Sequence, residues 1–93
     1  MTPYRTSMQI IGDLLVATKE TGDEGIRTTR LLAKANLSHS RLTTFLENLT
    51  GSGLVNKIEY DGKNTFVITS KGKQYLDSYK QFANIAGSFG LDL

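Results

Sequence analysis

Residues 28–53 read TTRLLAKANLSHSRLTTFLENLTGSG, and this stretch decides the fold of the chain. In its second half the apolar residues recur at the spacing i, i+3, i+4 and i+7: Leu42, Phe45, Leu46 and Leu49. That spacing places them on one face of an amphipathic helix. Ser38 stands where its hydroxyl can accept from the free N–H groups of the first turn, and Gly51 and Gly53 end the pattern. We therefore predict a helix over about residues 38–50.

The first half of the same stretch predicts a shorter helix over about residues 28–35, which Thr28 can cap. Its buried side consists of three residues at helical spacing: Leu31, Leu32 and Ala35. Asn36, Leu37 and Ser38 then make a tight turn into the next helix. Two short helices joined in this way are the parts of a helix-turn-helix, whose second helix enters the major groove of DNA.

The sequence before this stretch predicts a further helix over about residues 3–21. The pair Thr2-Pro3 is typical of an N-cap and a first helical residue, and Thr21-Gly22 supplies a stop signal. An apolar stripe runs between them: Met8, Ile10, Ile11, Leu14 and Leu15. Residues 25–27 (GIR) are a candidate for a minor strand.

The sequence after this stretch predicts a β-hairpin and a last helix. Residues 54–60 and 65–69 alternate apolar and polar side chains, and the sequence DGKN between them is a turn signal. Thr69 or Ser70 can cap the last helix. The complete order indicates an α+β fold of the winged helix-turn-helix class, with a three-helix core, a two-stranded β-hairpin wing and a C-terminal helix.

The composition is that of a single folded domain. Of 93 residues, 39% are hydrophobic and 22% are charged, which suits a globular chain with one core. We expect the core and wing over about residues 3–70, the last helix over 71–86, ending near Gly87, and a tail over 87–93. Residues 81–91 carry no charge, and a packing surface and a disordered tail both remain open for them.

The sequence also excludes several classes of protein. Cysteine is absent, which rules out disulfides and thiolate metal sites. We find neither a secretory signal pattern nor an apolar run of the roughly 18 residues that a membrane span needs. We therefore expect a cytoplasmic, nucleoid-associated protein with no membrane partner. His39 is the only histidine, and no triad or metal cluster assembles around it, so we expect no enzyme activity, no metal and no cofactor.

The helix over residues 38–50 offers candidates for contacts to DNA. Helical geometry turns Ser40, Thr44 and Glu47 directly outward. Four further residues flank them: His39, Arg41, Thr43 and Asn48. Short hydroxyls and a guanidinium near a helix N-terminus suit phosphates and base edges, and Arg41 is our candidate for a base contact. Glu47 opposes phosphates unless it accepts from a cytosine amino group. The alternative interpretation is an ordinary solvated helix face.

The helix over residues 28–35 carries a firmer electrostatic signal. Arg27, Arg30 and Lys34 follow the spacing i, i+3 and i+7, so they line one face with no acidic residue between them. Lys63 at the hairpin tip, with Lys57 on a strand, extends this basic surface if the wing approaches DNA. We expect these residues to contact phosphates, and the alternative is a solubilising face. The net charge of +2 favours an anionic partner without requiring one.

The last helix carries apolar residues at near-heptad spacing: Tyr75, Tyr79, Phe82 and Ala86. These side chains can either pack on the first helix or form a seam with a second copy of the chain. We expect a homodimer through this helix. Two copies would present two recognition helices to adjacent major grooves, about one turn of DNA apart.

Five segments carry a resemblance to a known family: 4–5 (YR), 10–11 (II), 34–38 (KANLS), 53–55 (GLV) and 68–73 (ITSKGK). In order and spacing they resemble the small archaeal winged-helix DNA-binding proteins related to dimeric chromatin-associated and transcriptional regulators. The resemblance implies binding of double-stranded DNA, dimerisation through the C-terminal helix and no cofactor. The competing hypothesis is a winged helix that serves as a protein-interaction module, with its apolar tail docked on a partner.

Overall fold

The structure, a computed structural model, describes residues 6–90. Within them lie these helices and strands: α1 (Ser7–Thr21), α2 (Thr28–Ala35), α3 (His39–Gly51), β1 (Val55–Tyr60), β2 (Lys63–Ile68) and α4 (Ser70–Ser88). A 3-10 turn, Gly22–Glu24, links α1 to α2. This order confirms the predicted α+β architecture of three helices, a hairpin and a C-terminal helix.

A single core receives side chains from each of these helices and from the hairpin. Its most deeply buried members are mainly leucines: Leu14, Leu15, Leu31, Leu42, Leu49, Val55 and Leu76. The predicted inner face of α3 is confirmed, since Leu42, Leu46 and Leu49 are buried and Phe45 is half-buried against the same core. The opposite face of α3 is therefore the one that a partner can reach.

α1 begins later than predicted. Thr6 has an extended backbone (φ −70°, ψ 161°), and its hydroxyl accepts from the N–H of Gln9 at 3.1 Å. The side-chain oxygen of Gln9 in turn accepts from the N–H of Thr6 at 2.8 Å. This reciprocal capping box starts the helix at Ser7, so the predicted start at residue 3 was too early. The predicted cap, Thr2-Pro3, lies outside the described residues.

β1 and β2 pair in antiparallel register, and the pairing continues to Tyr60 opposite Lys63 at the tip. Asp61 and Gly62 alone form the turn, with φ angles of 53° and 76°. Two-residue hairpin turns of this kind need positive φ at both positions, which Asp-Gly sequences tolerate well. The turn is therefore tighter than predicted, and β2 starts at Lys63 instead of residue 65.

The expected minor strand is present as an isolated bridge. The backbone N–H and C=O groups of Ile26 and Phe66 exchange two hydrogen bonds of 2.9 Å. Next to this bridge, the hydroxyl of Thr65 donates to the carbonyl of Glu24 at 2.6 Å. These contacts fasten the segment before α2 to the hairpin, so the N-terminus of α2 lies beside β2.

Thr69 joins the hairpin to α4. Its hydroxyl accepts from the N–H of Gly72 at 3.0 Å. Of the two predicted cap residues, Thr69 and Ser70, Thr69 is therefore the cap. The single proton of the same hydroxyl is shared between the carbonyls of Gly53, at 2.6 Å, and Leu54, at 3.0 Å. The first turn of α4 is thereby held against the segment that leads from α3 into β1.

Candidate nucleic-acid interface

α3 exposes a polar face that begins at its N-terminus. Ser38 caps the helix as predicted, because its hydroxyl accepts from the N–H of Arg41 at 3.3 Å. The seven side chains predicted to point away from the core are all exposed: His39, Ser40, Arg41, Thr43, Thr44, Glu47 and Asn48. One helix of 13 residues therefore presents all of these candidates to solvent.

Two hydroxyls on this face are already committed as donors. Thr43 donates through Oγ1 to the carbonyl of His39 at 2.9 Å, and Thr44 donates to the carbonyl of Ser40 at 3.1 Å. Threonines within helices commonly bond to the carbonyl four residues earlier, so the sequence contained this signal. Toward solvent the two threonines offer methyl groups and oxygen lone pairs, and their hydroxyl protons point into the helix.

A groove of about 560 Å³ separates α3 from the hairpin. Polar residues spaced along α3 line one part of it: His39, Thr43, Glu47 and Thr50. Lys57 of β1 and Thr28 of α2 line the rest, over an apolar part made by Leu46 and Phe66. Lys57, expected with Lys63 on the surface that approaches DNA, lines this groove and shares its face of β1 with the buried Val55 two residues earlier.

A second surface, at the N-terminus of α2, is basic. Arg27, Thr28 and Lys63 line a depression of about 260 Å³ there, together with Thr29 and Asn64. Arg27 and Lys63 also line a neighbouring depression of about 220 Å³, which Arg30 shares. The hairpin thus brings Lys63 to the start of α2. We call Arg27, Arg30 and Lys63 the basic surface.

The N-terminus of α2 has no side-chain cap. Arg27 occupies the N-cap position, and its carbonyl accepts from the N–H groups of Arg30 and Leu31 at 3.1 Å each. Thr28 is the first helical residue, so the prediction that it caps this helix was wrong. A helix start without a side-chain acceptor leaves N–H groups and the positive end of the helix dipole available to an anion.

The sequence was also compared with known families and proteins. One family model matches residues 4–87, which is nearly the whole chain, and its description is winged helix-turn-helix. The chain belongs to the winged helix-turn-helix family. The hairpin of β1 and β2 is accordingly its wing, and α3 is its recognition helix. A search of curated protein sequences finds no match.

Solved structures share the winged-helix fold. Sso10a-2, a DNA-binding protein from Sulfolobus solfataricus, is similar with a TM-score of 0.78 and 22% identity, over 91% of this chain and 85% of that protein. SSV1 F-93 gives 0.68 and 23%, over 95% and 97%. The M. tuberculosis transcriptional regulator MosR gives 0.65 and 21%, over 90% and 63%. At such identities the likeness concerns the fold.

Arg41 lies on the flank of the recognition helix that faces α1. Its guanidinium carbon is 5.8 Å from the centroid of the Phe45 ring, and both side chains line a depression with Ser7 and Asn48. A cation–π contact at an exposed site contributes about 0.5–1 kcal/mol, enough to favour one orientation of the side chain. Arg41 therefore stands outside the groove between the recognition helix and the wing.

Lys34 is separated from the basic surface. Its ammonium forms an ion pair with Glu20 of α1 at 3.2 Å. Both side chains are exposed, so the pair contributes little stability, but the carboxylate offsets the charge that Lys34 would offer to an anion. The predicted stripe on α2 is thus reduced to Arg27 and Arg30, and the wing adds Lys63 to them.

Within residues 6–90, no three His, Cys, Asp or Glu side chains are grouped so that they could hold a metal ion. Over the same residues, no helix is long and apolar enough to cross a membrane.

The residues predicted for a dimer seam differ in exposure. Tyr79 packs its ring on Gly12 of α1, where an added Cβ would lie 3.0 Å from Tyr79 Cε2. Tyr75 is half-buried against the core and Ala86 is buried. Phe82, by contrast, is 50% exposed. The spacing of these residues along the helix did not reveal how much of the set packs within its own chain.

Two further apolar residues near the end of α4 continue the line of Phe82. Ile85 and Phe89 follow it at i+3 and i+7, and they are 60% and 77% exposed. Side chains at this spacing lie on one side of a helix. We call Phe82, Ile85 and Phe89 the apolar stripe of α4.

Tyr75 gives stability a dependence on pH. Burial, and secondarily the neighbouring Tyr79, raises the pKa of Tyr75 above its ordinary value of 10.0. The folded state keeps the phenol proton to higher pH than the unfolded state. Well below pH 10 both states are protonated, so this group does not change the free energy of unfolding there. Stability should then fall as pH rises from 10 through the raised pKa. We expect Tyr75→Phe to lose less stability than the wild type between about pH 9 and pH 11 in urea unfolding. Parallel losses in the two proteins would contradict this.

Proposed function

We propose that this chain binds double-stranded DNA as a transcriptional regulator or chromatin-associated protein. The observation that carries the proposal is the basic surface beside the recognition helix, where Arg27, Arg30 and Lys63 surround the uncapped N-terminus of α2. The names of Sso10a-2 and MosR, a DNA-binding protein and a transcriptional regulator, support it. Such a protein would act in the cytoplasm, on the nucleoid.

The basic surface suits the DNA backbone. A phosphate oxygen can accept from free backbone N–H groups at the start of a helix, and flanking cations strengthen that binding. Arg27 and Lys63 line the same depression as Thr28 and Thr29, so one phosphate placed there would meet both kinds of donor. Arg30 lies in the adjoining depression and is available to a neighbouring phosphate. Lys34, paired with Glu20, is a weaker candidate for the same strand.

When the DNA backbone is bound at the basic surface, α3 is the helix that enters the major groove. A helix with its side chains is about 10–12 Å across, which matches a groove about 12 Å wide. Ser40, Thr43 and Thr44 are exposed for contacts to base edges. His39 at the first position of α3 can reach a phosphate or an outer base, and Arg41 can do so if it leaves the ring of Phe45.

A binding titration tests the proposal. The full chain should bind a fluorescent duplex, and log K should decrease linearly with log salt, with a slope of about −0.9 for each neutralised phosphate. For the three cations of the basic surface we expect a slope of about −3 for each bound chain, measured by fluorescence anisotropy between about 50 and 200 mM salt. Absent binding, or binding that ignores salt, would contradict the proposal.

We also infer that the chain acts as a homodimer through α4. The apolar stripe supplies the surface, because Phe82, Ile85 and Phe89 lie in line and exposed, while Tyr79 and Ala86 stabilise the position of α4 from within its own chain. In a soluble monomer, large apolar side chains so close together would be left in water. A second copy placed on the stripe would bury them and set two recognition helices on one duplex.

Replacement of Ile85 by arginine should weaken this dimer. An uncompensated charge at the centre of an apolar interface costs at least about 2 kcal/mol, which raises the dissociation constant roughly 30-fold. Sedimentation velocity over a range of concentrations measures the change. Val16→Arg is the matched control, because Val16 is also an exposed apolar helix residue, at 37%, but belongs to α1. A monomeric wild type, or equal effects of the two variants, would contradict the dimer.

The second candidate function is a protein-interaction module without direct DNA binding. The low net charge and the apolar stripe favour it, since both suit a protein partner. Charge reversal at Arg27 and Arg30, within the basic surface, separates the two functions. It should abolish duplex binding, yet it should leave intact a partner complex held through Phe82 and Phe89.

A further inference from the structure

The outward face of the recognition helix is rich in hydrogen-bond acceptors. The hydroxyl protons of Thr43 and Thr44 are used on backbone carbonyls, so these side chains offer lone pairs and methyl groups. Glu47 follows Thr43 by one turn and adds a carboxylate, which accepts but cannot donate. Arg41, the strongest donor on α3, lies over Phe45 in a depression that Ser40 and Thr44 also line, and it lies outside the groove that Thr43 and Glu47 line.

The carboxylate of Glu47 has no cationic partner among residues 6–90. It is exposed and lines the groove between α3 and the wing, into which Lys57 also extends without pairing to it. An unpaired carboxylate on a surface that approaches phosphates weakens binding to the backbone of any sequence. This carboxylate can strengthen binding only where it accepts a hydrogen bond, and the amino groups on base edges in the major groove are donors of this kind.

We propose that Glu47 determines base preference by accepting a hydrogen bond from the N4 amino group of cytosine. This inference rests on the proposed function, in which α3 lies in the major groove. Cytosine presents an amino donor there, whereas guanine presents the acceptors O6 and N7, which repel a carboxylate. The protein therefore favours cytosine and rejects guanine at the position that faces Glu47.

The position of Glu47 along α3 is compatible with this contact. It follows His39 by eight residues, which corresponds to about 12 Å along the helix axis, or three to four base pairs. The methyl groups of Thr43 and Thr44, which precede it, suit the C5-methyl group of thymine. The recognition helix thus presents acceptors and methyl groups that are complementary to pyrimidines on one strand.

Selection from a duplex pool with a randomised centre tests the proposal. The full wild-type chain, Glu47→Gln and Asp77→Asn are each used to select bound duplexes, which are then sequenced. Asp77→Asn is the matched control, because it removes one exposed carboxylate from α4. We expect the wild type and Asp77→Asn to prefer cytosine over guanine at one position by about 5- to 100-fold. We expect Glu47→Gln to prefer adenine there, because a glutamine amide both donates to N7 and accepts from N6.

The outcomes separate this inference from the function on which it rests. If wild type binds duplexes without preferring cytosine at any position, or if Glu47→Gln tightens binding to all sequences equally, Glu47 only repels phosphates and the inference is overturned. If the wild type binds no duplex in an anisotropy titration of the unselected pool, the proposed function itself fails, and the inference with it. Melting curves of the exposed Glu47→Gln variant should match those of the wild type, which excludes loss of folding as the cause.

Discussion

Replacement of Gly72 by alanine is expected to lower the free energy of unfolding by about 3 kcal/mol, at the upper end of the usual cost of overpacking. Gly72 lies in the first turn of α4, where an added Cβ would collide with the carbonyl oxygen of Leu54 and approach Ile68 Cγ1 to 2.8 Å. That carbonyl cannot easily move, because it accepts from the N–H of Thr69 at 3.1 Å and from the Thr69 hydroxyl at 3.0 Å. The methyl group would therefore separate α4 from the segment before β1.

Gly87 provides the matched control for this substitution. It lies in the same helix, is exposed, and has no atom within 4 Å of an added Cβ. By helix propensity alone, alanine at either position should stabilise the protein by about 0.5–1 kcal/mol. We expect that gain at Gly87 and a large loss at Gly72, measured by urea unfolding followed by circular dichroism. A gain at both positions would mean that α4 does not contact Leu54 as described.

Charge reversal of the basic surface is expected to have the largest effect on DNA binding. In the double variant Arg27→Glu/Arg30→Glu, two cations are replaced by carboxylates beside the uncapped start of α2. We expect duplex affinity to fall at least about 100-fold and the slope of log K against log salt to become shallower by about two. Anisotropy titrations over the same salt range measure both quantities.

The control for net charge is Lys73→Glu/Lys80→Glu. Both lysines are exposed on α4, and neither lines the groove beside α3 or the depressions at the start of α2. The two double variants change the net charge equally, so a difference between them reports the place of the charges. Sedimentation velocity of each variant shows whether its dimerisation has changed. A loss of affinity without such a change is then due to the DNA contacts. Equal losses of affinity would show that overall charge, and not the basic surface, drives binding.

Local patterns predicted the elements that depend on neighbours in sequence. The face of α3 is an example, since Leu42, Leu46 and Leu49 are buried as their spacing predicts. The cap at Ser38 also follows from local chemistry. The start of α1 is of the same local kind, because Thr6 and Gln9 have the spacing of a capping box, a pattern that the prediction from Thr2-Pro3 did not consider.

At the candidate site, the contacts that the sequence did not predict involve residues distant in sequence. Thr28 has the side chain of a cap, but Arg27, next to the bridge of Ile26 to Phe66, is extended and occupies the N-cap position, so the helix starts one residue earlier than a cap at Thr28 requires. Lys34 matched the spacing of Arg27 and Arg30, but its partner Glu20 is 14 residues away in sequence. Periodicity within one helix contains no information about either contact.

The sequence by itself determined the order of helices and strands, the inner face of α3 and the set of side chains exposed on α3, whereas Met8 of the predicted α1 stripe is exposed. Those features arise from interactions within a few residues, where helical and strand geometry fix which side chains share a face. Only the tertiary structure decided that Lys63 joins Arg27 and Arg30, and that Tyr79 packs on Gly12. These pairings depend on how whole elements dock, and docking is set by the shape of the common core more than by any single stretch of the chain.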